Sequence, residues 1–241
     1  MESNELLLRK LNLFIKKNKR FENGFFGSDL FSRIFRVVIG TVKYGGKYLR
    51  YIAVRTGIIK NKDVQSELFW GRRVILPIND NDAAIIYYSG GLTGLEYRLT
   101  KYILKNFSRS DVFYDVGANY GFYTYLAQEL ITSGQIHAFE PQKEICRYIE
   151  KNTSSCSNCF TNNAALADFS GKTSLFVSDK YSGGNTIVQD IAESQFAKMN
   201  KMEVEVLTMD DYVKNHAFPS FIKVDVEGAE YNVLKGAEIT I

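Results

Sequence analysis

Histidine and cysteine are scarce in this sequence, with two of the first and three of the second among 241 residues. A structural zinc site takes about four ligands. His137 and His216 stand apart in the chain, and Cys156 and Cys159 form one CxxC pair, CSNC, with no second pair to complete a site. The two thiols are read as plain side chains in a loop leading into a strand. Three cysteines are too few and odd in number for a disulfide framework, which fits a reducing compartment. Long apolar runs are lacking too. No stretch approaches the ~18 residues that a membrane-spanning helix requires, and the N-terminus has neither an apolar signal core nor a small-residue cleavage site. A cytoplasmic protein is therefore expected. Internal repeats and low-complexity tracts are absent.

What is present suits one ordinary globular core with a small appended segment: 45% of the residues are hydrophobic and 24% charged. The net charge of +3 conceals an asymmetry, because residues 1–62 hold 14 Lys and Arg against 4 acids, while the remainder is acidic overall. Residues 1–62 are expected to be a basic helical extension. It comprises LLLRKLNLFIKKNKRF, a break at Asn23, Gly24 and Gly27, and then DLFSRIFRVVIGTVKYGGKYLRYI. Leu30, Phe31, Ile34, Phe35, Val38 and Ile39 recur at helical spacing, with Arg33, Arg36, Lys43 and Lys47 among them. Such an amphipathic pattern fits two roles. The stripe packs on the rest of the chain with its Lys and Arg solvated, or it lies on an anionic membrane surface or acidic partner. No nucleic-acid-binding motif accompanies the charge, so nucleic acid is not an expected partner.

Residues 63–110 are read as a lead-in: a hairpin over RRVILPINDNDAAIIYYSGG, turning at Asn79 to Asp82, and then a helix from about Gly94 to Asn106. From residue 111 onward short apolar runs alternate with helical segments. The runs are VFYDVG, QIHAFE, CFTNNAAL and, much later, FIKVDVE. Buried strands separated by crossover helices specify an α/β fold with a doubly wound, mostly parallel sheet. KTSLFVSD and MEVEVLTM add strands, separated by a polar stretch with Gly183, Gly184 and Asn185 that is long enough to be a functional loop.

The first strand of the core turns through Asp115, Gly117, Asn119 and Gly121 into its helix. In an open α/β sheet a nucleotide-like ligand binds at this turn. No Lys-Ser/Thr pair follows the glycines, which excludes a P-loop. A dinucleotide loop would read GxGxxG and face a pyrophosphate. Here the loop is GANYG, preceded by the carboxylate of Asp115, and a negative charge there suits a cation. S-adenosylmethionine carries an ammonium, a sulfonium and an adenosine but no phosphate. Glu140 stands 19 residues past Gly121, at the end of the next strand, where a carboxylate can accept hydrogen bonds from both ribose hydroxyls.

Alternation along FIKVDVE places Lys223 and Asp225 on one side and Ile222, Val224 and Val226 on the other. Asp225 is then the candidate general base beside the glycine turn. Glu227 is read either as orienting the loop or as facing an acceptor, and Glu230 as a first-turn acid favourable to the helix dipole. Asp225 and Glu227 could also bind a divalent ion, but no third ligand is evident and no metal is assigned. Tyr123, with Tyr120 and Phe122, is a candidate for lining the pocket, although such aromatics are more often core.

LFWGRRVILP, DVFYDVGANYGFYT, IHAFEPQ, NNAALAD and FIKVDVEGAEYNVLKGA together resemble the successive motifs of the FkbM family of S-adenosylmethionine-dependent methyltransferases, from about Ser66 to the end. The resemblance implies a class I, Rossmann-like methyltransferase fold over residues 111–241. It implies O-methylation of a sugar in a polysaccharide, glycolipid or glycosylated metabolite. It further implies that Asp115, Gly117, Ala118, Asn119 and Gly121 hold the methionine part of the cofactor and Glu140 the ribose. Ala165 and Leu166, with Asn163 nearby, would flank the adenine, and Glu96 would face the pocket. The resemblance stops at Ile241, inside the helix after the fourth core strand, where the family's sheet continues, so C-terminal strands are expected to be missing. Two other readings remain: an NAD(P)-dependent oxidoreductase, disfavoured by Asp115 and the absent GxGxxG, and a non-catalytic nucleotide-binding fragment.

Overall fold

The computed structural model describes residues 2–19, 30–60, 62–92, 96–178, 182–190 and 199–241, with only the backbone at residues 2, 3, 19 and 30–36. The expected break at Gly24 and Gly27 and the helix start at Gly94 lie outside the described residues. So do the side chains of Leu30, Phe31, Arg33, Ile34, Phe35 and Arg36. The chain divides into two compact units, Met1–Lys105 and Asn106–Ile241. The expected extension and all of the lead-in up to Lys105 fall into the first unit, and residues 106–110 of the lead-in fall into the second with the expected core.

In the first unit, helix α1 (Glu2–Lys19) buries Leu7, Leu11, Phe14 and Asn18, a helical stripe. Phe14 stacks on Phe69 at 5.2 Å and meets Tyr97 edge-on at 5.8 Å. Lys10 Nζ donates to Trp70 O at 2.8 Å. The stripe of α1 is thus a packed one. Helices α2 (Leu30–Tyr44) and α3 (Gly46–Arg55) follow. Tyr44, Tyr48 and Tyr51 surround the Tyr88 ring with centroids 4.6, 5.4 and 5.9 Å away.

The hairpin expected over residues 72–91 is corrected. Strand β2 (Arg73–Pro77) pairs antiparallel with the earlier strand β1 (Asp63–Glu67), and the second apolar segment is helix α4 (Asn81–Ser89). Asp80 decides this, because its Oδ1 accepts from the backbone N–H groups of Asp82 and Ala83 at 2.9 and 3.4 Å, a helix N-cap. The buried set Ala83, Ala84, Ile86 and Tyr87 has helical rather than alternating spacing. Helix α5 spans Glu96–Asn106.

The second unit contains the doubly wound core. Strands β3 (Val112–Val116), β4 (Gln135–Phe139) and β5 (Cys159–Asn162) form a sheet in the order β5-β4-β3-β9, where β9 is Phe221–Val224, and every pairing is parallel. Helices α6 (Phe122–Gln128) and α7 (Lys143–Thr153) make the crossovers. Four of the five residues of β3 and of β4 are buried, as both-face coverage requires. Cys156 lies in the turn before β5, Cys159 opens the strand, and neither forms a disulfide. Strand order reverses between β4 and β9 around β3, so the crevice lies at the carboxyl ends of these strands. A second sheet has the order β6-β8-β7, from β6 (Ala165–Leu166), β7 (Gly171–Val177) and β8 (Asn200–Leu207), with β7 antiparallel to β8. Helices α8 (Met209–Tyr212) and α9 (Glu230–Lys235) also belong to this unit.

The two histidines, remote in sequence, meet in this core. His137 is buried, with Nδ1 2.8 Å from Tyr212 Oη and Nε2 3.0 Å from Gln135 Oε1. His216 stacks on the Tyr212 ring at 3.9 Å. Burial, aided by His216, pushes the His137 imidazole down to about 4. Among the described residues no helix is long and apolar enough to cross a membrane.

Candidate active site

The turn leaving β3 is fastened to β4 by two bonds, from the backbone N–H groups of Gly117 and Ala118 to Phe139 O at 3.1 and 3.0 Å. Gly117 has φ 71°, and a Cβ there would overlap the carbonyl oxygen of Asp225. Glycine is required at this position because β9 approaches the turn backbone to backbone. The side chain of Glu140 ties the two strand ends together. Its Oε2 accepts from Asn119 N and its Oε1 from Gln142 N, both at 2.9 Å. Burial raises this carboxyl to about 7 against the opposing pull of its backbone donors and Lys223. Asn163 supports the same corner, with Nδ2 donating to Glu140 O at 3.0 Å and Pro141 O at 2.9 Å.

Asp115 is wholly buried. Its Oδ2 accepts from Thr124 Oγ1 at 2.7 Å, and its Oδ1 lies 3.3 Å from the Lys223 ammonium. Lys223 also donates to Gly117 O at 2.9 Å and lies 3.4 Å from Asp225 Oδ2. Burial pulls its pKa down, but Asp115 and Asp225 outweigh that and leave it raised. The alternation expected in β9 is therefore present, with Lys223 and Asp225 on one side. The Asp225 side chain is 58% exposed, so its carboxylate remains accessible.

Beyond β9, Glu230 Oε1 accepts from Val226 N at 3.3 Å and Gly228 N at 3.2 Å. Glu230 thus pins the turn that carries Glu227, a more specific job than a favourable charge at a helix start. Glu227 has φ 52° and Asn119 φ 49°, the two non-glycine residues with positive φ among those described. Each costs about 1–3 kcal/mol unless surrounding contacts hold it. Both line the same cleft.

That cleft brings together Gly117, Asn119, Glu140, Ala165, Leu166, Asp225 and Glu227 from the expected set. It does not include Asp115, Ala118, Gly121, Asn163 or Tyr123 among its lining residues. Asp115 is spent on Thr124 and Lys223. Ala118 and Gly121 close the turn on themselves, with Gly121 N donating to Ala118 O at 2.8 Å. Asn163 supports Glu140 from behind while Ala164 faces the cleft. Tyr123 is buried with its ring 5.7 Å from Lys223 Nζ. Glu96 opens α5 and belongs to the other unit.

The polar stretch expected to be a functional loop contributes Gly183 and Asn185 to the cleft, and with them Ser182, Thr186 and Ile187, which the sequence does not single out. Ser182 Oγ donates to Asn119 Oδ1 at 3.3 Å, Asn185 Nδ2 to Gln142 Oε1 at 2.7 Å, and Thr186 exchanges two backbone bonds with Phe176. The signal was available only as a polar loop between two strands. Which of its side chains turn inward depends on the bridge to Phe176.

Three carboxylates, Glu140, Asp225 and Glu227, line the cleft, and among the described residues no Lys, Arg or His does. Such a wall favours cations and hydroxyl donors and disfavours phosphate. Among the described residues no three His, Cys, Asp or Glu side chains converge as a metal site would need.

The model of the methyltransferase FkbM domain matches residues 115–241. The match begins at Asp115, later than the Ser66 suggested by the motif resemblance. A solved structure of methyltransferase FkbM from Methylobacillus flagellatus KT aligns at 15% identity and a TM-score of 0.41, over 82% of this chain and 47% of its own. The chain thus spans about half the length of that protein. Among curated proteins no match reaches significance. With more than half of its residues matched by the domain model, the chain belongs to the FkbM methyltransferase family.

Proposed function

We propose that this protein is an S-adenosylmethionine-dependent O-methyltransferase whose acceptor is a sugar hydroxyl of a polysaccharide, glycolipid or glycosylated metabolite, acting inside the cell. The observation that carries the reading is the cleft beside the glycine turn, lined by three carboxylates and, among the described residues, by no cationic side chain. A nicotinamide dinucleotide would bring its pyrophosphate against that wall, whereas a sulfonium and an ammonium suit it. When bound, S-adenosylmethionine supplies an electrophilic methyl group.

The chain's own residues supply binding and proton handling. Each oxygen of Glu140 accepts one backbone N–H and keeps a second lone pair for a ribose hydroxyl. Gly117 and Asn119 would hold the methionine part, and Ala165 and Leu166 the adenine face. Asp225, exposed at the cleft and oriented by Lys223, accepts the proton of the acceptor hydroxyl. Glu227 orients the acceptor from its constrained turn. Alignment of donor and acceptor provides much of the remaining rate enhancement.

The test is transfer of an isotopically labelled methyl group from S-adenosylmethionine to a panel of glycans and glycolipids. An O-methyl ether survives mild alkali, so alkali-stable label on sugar is the expected result. Label released by alkali, as from a carboxyl ester, would remove the hydroxyl acceptor from the account.

A further inference from the structure

The first unit carries a lysine-lined groove that shares no lining residue with the cleft of the second unit. Lys16 and Lys17 from α1, Lys43 from the end of α2 and Lys47 from the start of α3 line one groove of about 840 Å³, and among the described residues no Asp or Glu lines it. Neutral groups hold two of these lysines. Lys43 Nζ lies 3.4 Å from Asn18 O and 4.8 Å above the Tyr44 ring, and Lys47 Nζ lies 3.4 Å from Tyr87 O and 5.6 Å from the Tyr87 ring centroid. The contacts of Lys47 fix the direction of its side chain without neutralising its charge.

The same groove displays two apolar side chains, Leu13 at 69% and Val42 at 74% exposure. Neither belongs to the packed stripe of α1, which Leu7, Leu11, Phe14 and Asn18 occupy. A purely polar anion gives no reason for exposed Leu and Val beside the ammonium groups. An amphiphile does, because its phosphate meets the lysines and its acyl region meets Leu13 and Val42. We propose that this groove docks the protein on a membrane surface by taking the phosphate head group of an anionic phospholipid between α1 and the α2–α3 corner.

The chemistry shared with a soluble phosphate is an anionic oxygen cluster, and the test separates the two. The full chain is sedimented with phosphatidylcholine vesicles, with and without phosphatidylglycerol, at low and high salt, and in the presence of inorganic phosphate. Expected is binding only to the phosphatidylglycerol vesicles, weakened by salt and only slightly by phosphate. Each groove lysine contributes about fivefold, so Lys17→Gln with Lys47→Gln weakens binding roughly 25-fold. Lys17→Arg with Lys47→Arg retains it, and circular dichroism reports that each variant is folded. The charge-matched pair Lys60→Gln and Lys62→Gln, outside the groove, leaves binding nearly unchanged. Equal loss in both Gln pairs would overturn the groove in favour of diffuse attraction. Absence of vesicle binding, binding to phosphatidylcholine alone, or displacement by phosphate at its own low concentration would each overturn the proposal as well.

Discussion

The ammonium of Lys223 lies 3.3 Å from Oδ1 of the wholly buried Asp115, and 2.9 Å from the carbonyl oxygen of Gly117. One side chain from β9 thus neutralises the acid of β3 and holds the turn that follows it. This alters the role first given to Asp115, whose charge serves Lys223 instead of facing the cleft.

Removing one member of this pair leaves a buried charge uncompensated. Lys223→Met is expected to cost about 3–5 kcal/mol in urea unfolding. Asp115→Asn combined with Lys223→Met should cost less than the sum of the single changes, since the pair leaves together. Additive losses would show that the contact carries no coupling.

Glu140 offers a pH test. Its carboxyl, raised to about 7, ionises as pH rises through neutrality, and hydroxyl donors prefer the ionised form. Affinity for S-adenosylmethionine should improve about tenfold between pH 6 and pH 8, with proton release seen by calorimetry in buffers of different ionisation enthalpy. The stability effect has the opposite sign. A folded-state pKa above the unfolded value gives stability that is full below the unfolded pKa and lost as pH rises through about 7.

His137 acts the other way. Its folded pKa of about 4 lies below the ordinary value of 6.5, so its contribution is full above 6.5 and is lost as pH falls through 4. Thermal unfolding of the wild type against His137→Gln should show a difference that shrinks by roughly 3 kcal/mol across that window. A difference independent of pH would mean that the imidazole is not held neutral.

Asp225→Asn separates binding from chemistry. Calorimetry should find S-adenosylmethionine affinity unchanged, while methyl transfer falls by about 100-fold or more. Full turnover in the variant would end the general-base role.

The parallel sheet of the second unit is well disclosed by the sequence, because βαβ units write their strands as apolar runs and their turns as glycines. Gly117, Glu140 and Asp225 were legible for that reason. The lead-in differs, since IIYY has the composition of a strand while the Asp80 cap and the helical burial of Ala83, Ala84, Ile86 and Tyr87 make it a helix. Contacts set by the folded backbone, whether between remote strands or within one turn, leave no pattern in the residue order. Lys223 on Asp115, Glu230 on Val226 and Gly228, and the inward face of residues 182–187 each depend on tertiary placement.

The central claim is that a carboxylate-lined cleft beside the glycine turn takes a cationic, phosphate-free nucleoside. Titration calorimetry of the full chain with S-adenosylmethionine, S-adenosylhomocysteine and NAD tests it most directly. The account predicts binding of the first two and none of NAD; NAD binding, or binding of none of the three, would contradict it.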